Sequence, residues 1–187
     1  MRPEHGAGDS CENRLVTTFR ALTPSDASEL VAINNGGYPG VPLSSAEELD
    51  ALLTLSSVAL GIVGDDGSLQ GFLIALDPGV DYDSENYRFF ETLYDNHLYI
   101  DRVVLASQLR GRGVGTELYE RVFDLARSGE RSRITCEVNL EPPNPGSLRF
   151  HRGLGFLDVD TQATKGGSVV VQLLQVPLSE GARNGDS

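Results

Sequence analysis

A short run of glycine and arginine residues in the middle of the chain has the composition of a phosphate-binding turn. The run is Arg110-Gly111-Arg112-Gly113-Val114-Gly115; it follows the apolar segment 98–105 and leads into residues 114–127, whose apolar side chains recur at helical spacing. Glycines permit positive φ angles and let a ligand approach the main chain closely. Backbone N–H groups at a helix N-terminus bind phosphate oxygens, and the two arginines would add charge-assisted hydrogen bonds. The run therefore predicts a site for a phosphate or pyrophosphate group.

Residue spacing separates this run from two other phosphate-binding loops. A Walker loop requires Gly-Lys-Ser/Thr after its glycines, whereas Gly115-Thr116 contains no lysine. A dinucleotide fingerprint requires a third glycine where this chain has Thr116, and it usually follows the first strand of a domain. For the segment considered alone, the remaining alternative is a glycine-rich turn that binds no ligand.

The elements around the run indicate one α/β domain with a mixed sheet. Hydrophobic patterning and turn residues predict about seven strands, at 14–20, 58–63, 69–76, 98–105, 133–138, 156–159 and 168–176. We expect about four helices, the main ones at 23–34, 45–55, 114–127 and 147–152, and a short helix near 85–94 in an acidic segment that would cover the site. The order strand, glycine run, helix, strand implies a parallel strand pair across the helix. Residues 1–13 and 179–187 are expected to be flexible tails flanking a domain at 14–178.

Two motifs, in this order, resemble the GNAT superfamily of acyl-CoA-dependent N-acetyltransferases. The family pattern [Gln/Arg]-x-x-Gly-x-[Gly/Ala] is matched by Arg110, Gly113 and Gly115. Residues 144–156, Asn-Pro-Gly-Ser-Leu-Arg-Phe-His-Arg-Gly-Leu-Gly-Phe, resemble the family segment Asn-x-x-Ala/Ser-x-x-Phe-Tyr-x-x-Leu-Gly-Phe. The predicted element order also matches, so the resemblance spans about residues 14–178.

The resemblance implies a set of residues that contact acetyl-CoA. In this family the fourth and fifth strands splay apart and leave backbone groups free for the pantetheine arm. By position, the main-chain contacts are assigned to Val103, Val104 and Leu105. The pyrophosphate would lie on the N–H groups of Arg110, Gly111, Arg112, Gly113, Val114, Gly115 and Thr116. Asn144 matches the family asparagine that contacts the cofactor arm, with Ser147 and Phe150 nearby; helix capping is the alternative for Ser147, and core packing is the favoured role for Phe150.

The reaction implied is direct attack of an amine on the thioester, for which an ammonium must first lose a proton. Strand alternation places His97, Tyr99, Asp101, Val103 and Leu105 on one face of the fourth strand. If Val103 and Leu105 line the cofactor channel, then Tyr99 and Asp101 point to the same cleft. Asp101 is therefore the first candidate for the base, with Glu91 and His97 behind it. The alternative for Asp101 is a structural ion pair with Arg102, although neighbouring strand residues face opposite ways.

The departing thiolate gains from protonation, and here the chain departs from the family pattern. His151 stands where the family usually has tyrosine, and an imidazolium can protonate a thiolate because histidine titrates near neutral pH. The alternative is an ordinary helix residue, with the proton supplied by solvent or another group. Cys136 is interpreted as a buried strand residue and not as an acyl-carrying nucleophile, since nothing basic beside it would lower its pKa.

Composition restricts the partners. The formal net charge is -12, from 27 acidic and 15 basic side chains, so a nucleic acid would be repelled while a cationic or neutral amine is acceptable. No histidine or cysteine cluster has metal-ligand spacing, and we expect no metal. No apolar run approaches the roughly 20 residues of a membrane span, and neither a signal peptide nor a disulfide framework is evident. We therefore expect a cytoplasmic protein with no membrane partner.

The function predicted is transfer of an acetyl group from acetyl-CoA to a primary amine of a small molecule, peptide or protein, in a ternary complex. The alternative is a non-catalytic acyl-CoA-binding or sensing domain, which the missing tyrosine and the uncertain base keep open. A nucleotide-binding regulator is a third, less favoured interpretation. The acceptor, the acyl-chain preference and the question of a homodimer are left open.

Overall fold

The computed structural model of the chain describes residues 18–178, and the tails expected at 1–13 and 179–187 lie outside them. Residues 18–178 form seven strands and five α-helices, and the fifth helix beside the four main ones is the short helix predicted near 85–94. The strands are β1 (Thr18–Ala21), β2 (Val58–Val63), β3 (Leu69–Leu76), β4 (Leu98–Leu105), β5 (Arg133–Glu141), β6 (Leu157–Thr164) and β7 (Val169–Pro177). The helices are α1 (Ala27–Gly36), α2 (Ala46–Leu55), α3 (Glu85–Leu93), α4 (Val114–Ser128) and α5 (Pro145–Gly153). None of these helices is long and apolar enough to cross a membrane.

All seven strands belong to one sheet, in the order β1-β2-β3-β4-β5-β7-β6. Only β4 and β5 run parallel; the other neighbours are antiparallel. The parallel pair brackets the glycine run and α4, as the order of elements predicts, because a crossover helix returns the chain to the same end of the sheet. The mixed α/β class predicted from the sequence is confirmed.

The parallel pair is short, and the two strands separate beyond it. β4 and β5 pair at Leu98 with Ile134, Tyr99 with Thr135 and Ile100 with Cys136, and not further along. From there β5 continues against β7 as far as Glu141, while β4 continues against β3 as far as Leu105. The expected splay between the fourth and fifth strands is therefore present, with its vertex just after Ile100 and Cys136.

A β-bulge at Asp101 changes which residues of β4 share a face. Ile100 pairs with Ala75 and Arg102 with Ile74, so that Asp101 is left out of the ladder with β3. The extra residue shifts the alternation. As a result Tyr99 and Val104 pack in one core cluster, whereas Val103 and Leu105 pack against the other. The prediction that Tyr99 shares a face with Val103 and Leu105 was wrong, because strict alternation takes no account of a bulge.

The sheet separates two hydrophobic clusters. On one face α4 packs through Leu118, Tyr119 and Val122, together with Phe156. On the other face α1, α2 and α3 pack through buried leucines and aromatic rings that include Leu30, Leu49, Tyr87 and Phe90. The splay is thus flanked by α4 and α5 on the first face and by α1–α3 on the second.

Candidate active site

The glycine run has the backbone conformation that an anion-binding turn requires. Gly111 has φ 72° and Gly113 has φ 80°, both in the left-handed region, and a Cβ added at either position would meet no atom within 4 Å. Gly113 is the N-cap of α4, so the N–H groups of the first helical turn have no acceptor within the helix. Within residues 18–178, the N–H groups of Gly111, Arg112 and Gly113 also have no backbone acceptor. The turn therefore presents free donors together with the positive end of a 15-residue helix.

Gly115 has a different role from the two glycines before it. Its φ is not positive, and an added Cβ would lie 3.2 Å from the ring of Phe150. The residue is small because α4 and α5 approach each other closely at this point. Phe150 packs edge-on against Tyr119, with ring centroids 5.4 Å apart, which agrees with the core-packing role favoured for it from the sequence.

The arginines of the run lie at the surface. Arg110 and Arg112 are exposed and form no ion pair within the described residues, so both guanidinium groups are available to an anion. Buried Leu109 and Val114 anchor the two ends of the turn. The backbone N–H of Arg110 donates to the carbonyl of Ser107 at 3.2 Å, so this N–H is already used, although the sequence interpretation counted it among the free donors.

The β4 edge that faces the splay carries the predicted backbone contacts. Val103, Val104 and Leu105 pair with β3 on one side only. On the other side β5 has diverged, so the backbone groups that point that way have no strand partner. This free edge leads towards the glycine run, which begins a few residues beyond Leu105.

The segment between α1 and α2, residues 37–45, lies across the mouth of the splay. Asn139 on β5 donates its side-chain N–H to the carbonyl of Pro39 at 2.9 Å. A Cβ added at Gly37 would lie 3.1 Å from the Val104 side chain on β4. The segment therefore touches both diverging strands and narrows the opening between them.

Asn144 and Ser147 are held together at the start of α5. The side-chain oxygen of Asn144 accepts from the N–H of Ser147 at 3.2 Å and caps the helix. A Cβ added at Gly40 would lie 3.1 Å from the side-chain nitrogen of Asn144. Asn144 therefore borders the 37–45 segment. The capping side chain is thus that of Asn144 and not that of Ser147, for which capping was the alternative. The contact of either residue with a cofactor stays a prediction.

Asp101 and Arg102 form the ion pair that strand alternation argued against. The guanidinium Nε of Arg102 donates to Asp101 at 2.9 Å, and the side chains are 10% and 6% exposed. The bulge brings both side chains to the face that carries α1–α3, which is why adjacent residues meet. Arg102 also donates to Asn34 at 2.9 Å and to Ser44 at 3.1 Å. The arginine therefore fixes the bulge to α1 and to the 37–45 segment.

Two further residues, Tyr82 and Glu137, complete the polar cluster at the vertex, and neither was predicted as a site residue from the sequence. The Tyr82 hydroxyl donates at 2.7 Å to Oδ1 of Asp101, the oxygen that does not accept from Arg102. The Tyr99 hydroxyl donates to Glu137 at 3.0 Å, and burial raises the pKa of Tyr99 well above its usual value. Burial also raises the pKa of the Glu137 carboxyl to about 8, with the nearby charge of Asp101 as the second cause. Glu137 lies on β5, whereas the bases predicted from the sequence lie on β4, just before β4 and on α3.

The other base candidates lie before β4 and away from the vertex. His97 precedes β4, is fully buried, and has Nδ1 3.0 Å from the Tyr94 carbonyl; burial lowers its pKa. Glu91 on α3 accepts from the N–H of Gly79 at 3.1 Å. Neither residue contacts the cluster of Asp101 and Glu137 through a hydrogen bond.

His151 lies inside the aromatic cluster on the α4 face. The residue is 2% exposed, and its ring packs against those of Tyr119, Phe150 and Phe156. Nδ1 is 2.8 Å from the Ser147 carbonyl, and Nε2 is 2.6 Å from the Tyr119 hydroxyl. Because a carbonyl only accepts, Nδ1 carries the proton and Nε2 accepts from the tyrosine. Burial lowers the pKa of His151, which favours this neutral form over the imidazolium that a proton donor to the thiolate requires.

Cys136 is the last residue of β5 to pair with β4, and it is buried. Burial raises the pKa of its thiol well above the usual value, so the reactive thiolate is disfavoured. This environment agrees with the sequence interpretation of Cys136 as a packing residue.

The acidic segment before β4 lies on the face of α1–α3. Asp81 and Asp83 are exposed, and Ser84 caps α3. The helix is tied to the β6–β7 hairpin, because Gln162 donates to Asn86 at 3.1 Å and the N–H of Lys165 donates to Glu85 at 2.9 Å. The segment therefore forms one wall beside the vertex, on the face opposite α4.

Comparison with known proteins gives one family and one fold. The family model described as acetyltransferase (GNAT) family matches residues 33–156. Ard1 from Thermoplasma volcanium superposes with a TM-score of 0.70 at 16% identity, over 88% of this chain and 99% of that one. The ribosomal-protein-S18-alanine N-acetyltransferase from Escherichia coli gives a TM-score of 0.68 at 14% identity, over 92% and 100%.

A third solved structure was determined with a ligand. The GNAT superfamily phosphinothricin acetyltransferase from Sinorhizobium meliloti, in complex with AcCoA, superposes with a TM-score of 0.67 at 19% identity, over 92% of this chain and 94% of that one. At such identities the superpositions establish the fold and not the substrate. None of the curated proteins compared with the chain matches it in sequence.

Proposed function

The chain belongs to the acetyltransferase (GNAT) family, and from this premise we propose that it transfers an acetyl group from acetyl-CoA to a primary amine by direct attack in a ternary complex. One observation carries the proposal. The open edge of β4 leads from the vertex of the splay to a turn whose glycines at 111 and 113 have positive φ, at the N-terminus of α4. The backbone groups along this path suit a long ligand with a pyrophosphate at one end and an amide-containing arm at the other.

The residues proposed to hold acetyl-CoA follow this path. The N–H groups of residues 111–116 and the guanidinium groups of Arg110 and Arg112 would bind the pyrophosphate. The free edge of Val103, Val104 and Leu105 would hydrogen-bond the pantetheine arm, with Asn144 and Ser147 beside it. When bound, acetyl-CoA supplies the electrophile, a thioester carbonyl carbon.

The residues on the face of α1–α3 would receive the acceptor. Asp101 and Glu137 place carboxyl groups at the vertex, and Tyr82 and Tyr99 orient them through hydrogen bonds. An ammonium group is attracted to such a site and must lose a proton there before the nitrogen becomes a nucleophile. Free backbone N–H groups at the splay would stabilise the carbonyl oxygen as negative charge develops.

The acceptor is proposed only as a class, a primary amine on a small molecule, a peptide or a protein. Two of the similar structures are named for an alanine of a ribosomal protein and for phosphinothricin, which shows how widely acceptors differ on this fold. A cytoplasmic location is proposed from the sequence alone. Whether the chain forms a homodimer is left open.

The proposal is tested by binding and by turnover. Calorimetry with coenzyme A and acetyl-CoA, at up to millimolar ligand, should detect binding that Arg112→Ala weakens. Arg88→Ala, on the opposite face of the sheet, is the matched control and should leave binding unchanged. Acetyl-CoA is then incubated with each of a panel of alkylamines, polyamines, amino acids and peptides. At least one of these amines should cause release of the coenzyme A thiol.

Two negative results have different meanings. If calorimetry detects no heat of binding with either acetyl-CoA or coenzyme A, acetyl-CoA is rejected as the ligand. Binding without thiol release from any amine in the panel would favour the alternative, a non-catalytic acyl-CoA-binding domain; the buried, neutral His151 in place of the family tyrosine is the observation that supports that alternative.

A further inference from the structure

We propose that Glu137, on β5, is the group that takes the proton from the acceptor ammonium, and that Asp101 is the fixed negative charge that holds this ammonium beside it. The inference rests on the proposed acetyl transfer to an amine. It gives the base role that the sequence predicts for Asp101 to a residue on the neighbouring strand.

The position of Glu137 follows from the strand pairing. Cys136 is the last residue of β5 that pairs with β4, so Glu137 is the first residue beyond the vertex. It pairs with Leu173 of β7, which packs in the cluster on the face of α1–α3, and its carboxyl meets Tyr99 on the same face. Glu137 therefore lies at the point where the two faces of the sheet communicate through the splay.

The hydrogen bonds distinguish the two carboxyl groups. Both oxygens of Asp101 are occupied, one by the Tyr82 hydroxyl at 2.7 Å and the other by the Arg102 guanidinium at 2.9 Å. Glu137 accepts from Tyr99 through Oε1, whereas its Oε2 is enclosed and has no partner among the described residues. The residue as a whole is only partly buried, although Oε2 itself is enclosed. Oε2 is the carboxyl oxygen with no hydrogen-bond donor already in place, so the proton from the ligand is assigned to it.

The surroundings of Glu137 suit a proton acceptor that works near neutral pH. Groups from three neighbouring parts of the chain face Glu137. They are Tyr99, Asp101 and Arg102 on β4, Tyr82 in the segment before α3, and the amide of Asn86 on α3. Burial and the charge of Asp101 raise the pKa of Glu137 to about 8, while the hydrogen bond from Tyr99, the nearby amide of Asn86 and the charge of Arg102 oppose this shift. A base is most effective when its pKa lies near the working pH.

The reaction balances with the groups present. The Glu137 carboxylate takes one proton from the R–NH₃⁺ acceptor and becomes a carboxylic acid, which leaves a neutral amine. The amine nitrogen forms the C–N bond with the acetyl carbon, the C–S bond breaks, and its electron pair leaves with the sulfur. A second N–H proton ends on the sulfur as the thiol, and Glu137 returns its own proton to solvent.

The experiment compares Glu137→Gln and Asp101→Asn with the wild type, using the amine that the wild type acetylates best. Glu137→Gln should lower kcat about 100-fold, a typical contribution of general base catalysis, and should abolish the rise of kcat/KM with pH through about 8. Asp101→Asn should mainly raise KM for the amine and keep the pH rise. Coenzyme A affinity, measured by calorimetry, should be unchanged in both variants. Glu120→Gln, an exposed change on α4, controls for the loss of one charge.

A readout without substrate accompanies the kinetics. The side-chain carboxyl of ¹³C-labelled Glu137, assigned by its loss in Glu137→Gln, should titrate well above the other glutamates. Titration in the ordinary glutamate range, or full activity and an unchanged pH profile in Glu137→Gln, would overturn the inference while leaving acetyl transfer intact. Loss of the pH rise in Asp101→Asn alone would return the base role to Asp101. A wild type that acetylates no amine would reject the proposed function and this inference with it.

Discussion

Asp101 and Glu137 occupy matching positions on the two parallel strands: each is the first residue after the last β4–β5 pair, Ile100 with Cys136. The bulge turns Asp101 to the face of α1–α3, and ordinary alternation turns Glu137 to the same face. One carboxyl is held by an arginine and a tyrosine, and the other by a tyrosine alone. The separation of the strands therefore produces both the gap for a cofactor arm and a pair of unlike carboxyl groups beside it.

The raised pKa of Glu137 predicts how stability varies with pH. The pKa is about 8 in the folded chain against an ordinary 4.5, so between these values the folded state holds a proton that the unfolded state has released. Stability contributed by this group is therefore present at low pH and is lost as pH rises through about 8. Glutamine has no such proton. The free energy of unfolding of Glu137→Gln should rise relative to wild type between pH 5 and pH 9, by a few kcal/mol at most, since one pKa unit corresponds to about 1.4 kcal/mol.

Urea unfolding at several pH values measures this difference, and groups that both proteins share cancel in the comparison. Glu120→Gln, on the exposed face of α4, should follow the wild type at every pH. A constant difference between Glu137→Gln and wild type would show that the folded-state pKa of Glu137 is not raised.

The glycine turn gives a second prediction. Gly113→Ala places a Cβ on a residue with φ 80°, which costs about 1–2 kcal/mol for an L-residue even though the space around it is open. The turn should relax by rotating its N–H groups, so coenzyme A affinity should fall about tenfold, equivalent to about 1.4 kcal/mol. Calorimetry and thermal unfolding measure the two effects. Gly153→Ala, in α5, has open space and no positive φ, so it should keep the affinity and should not lower the melting temperature. Equal losses in both variants would show that the positive φ of Gly113 is not the cause.

Local patterns were sufficient to predict much of this architecture. Ser45 and Glu48 form the capping box expected for α2. Each glycine of the run has a structural reason: a positive φ at 111 and 113, and close contact with Phe150 at 115. What the sequence did not indicate is the bulge at Asp101, because one extra residue in a ladder depends on the partner strand β3. For the same reason the Asp101–Arg102 pair was only an alternative in the sequence interpretation, and Glu137 was not among the candidate bases: both depend on how three strands meet, and no local periodicity encodes that.

Arg102 provides a third prediction, on stability. Its guanidinium is buried and donates to Asp101, Asn34 and Ser44. Arg102→Ala leaves a buried carboxylate and two buried polar groups without their donor, and removing one partner of a buried ion pair costs about 3–5 kcal/mol. Arg102→Lys keeps the charge but not the planar fork, so it should lose less. Denaturant unfolding checks the order, and Arg88→Ala, whose ion pair with Asp83 is exposed, should leave stability unchanged. Equal stability of Arg102→Ala and wild type would show that the network is not formed in solution.

His151 provides the fourth prediction, which decides between packing and proton transfer. The only N–H of the neutral imidazole, on Nδ1, points to the Ser147 carbonyl, and Nε2 accepts from Tyr119, so neither nitrogen is free to serve a thiolate. His151→Phe should leave the buried Tyr119 hydroxyl without an acceptor, which costs about 1–3 kcal/mol, while kcat stays within about threefold because the barrier changes by less than 1 kcal/mol. Tyr119→Phe removes the same hydrogen bond from the other side, so the double variant should be more stable than the sum of the two losses implies.

The contrary result would have a clear signature. If His151 donates a proton to the thiolate, His151→Phe lowers kcat by two orders of magnitude or more, and it does so even when the melting temperature is restored by Tyr119→Phe. The acidic side of the pH profile for kcat would then also change, since an imidazolium is needed at that step. Because burial lowers the pKa of His151, the structure favours the neutral ring and the smaller effect on kcat.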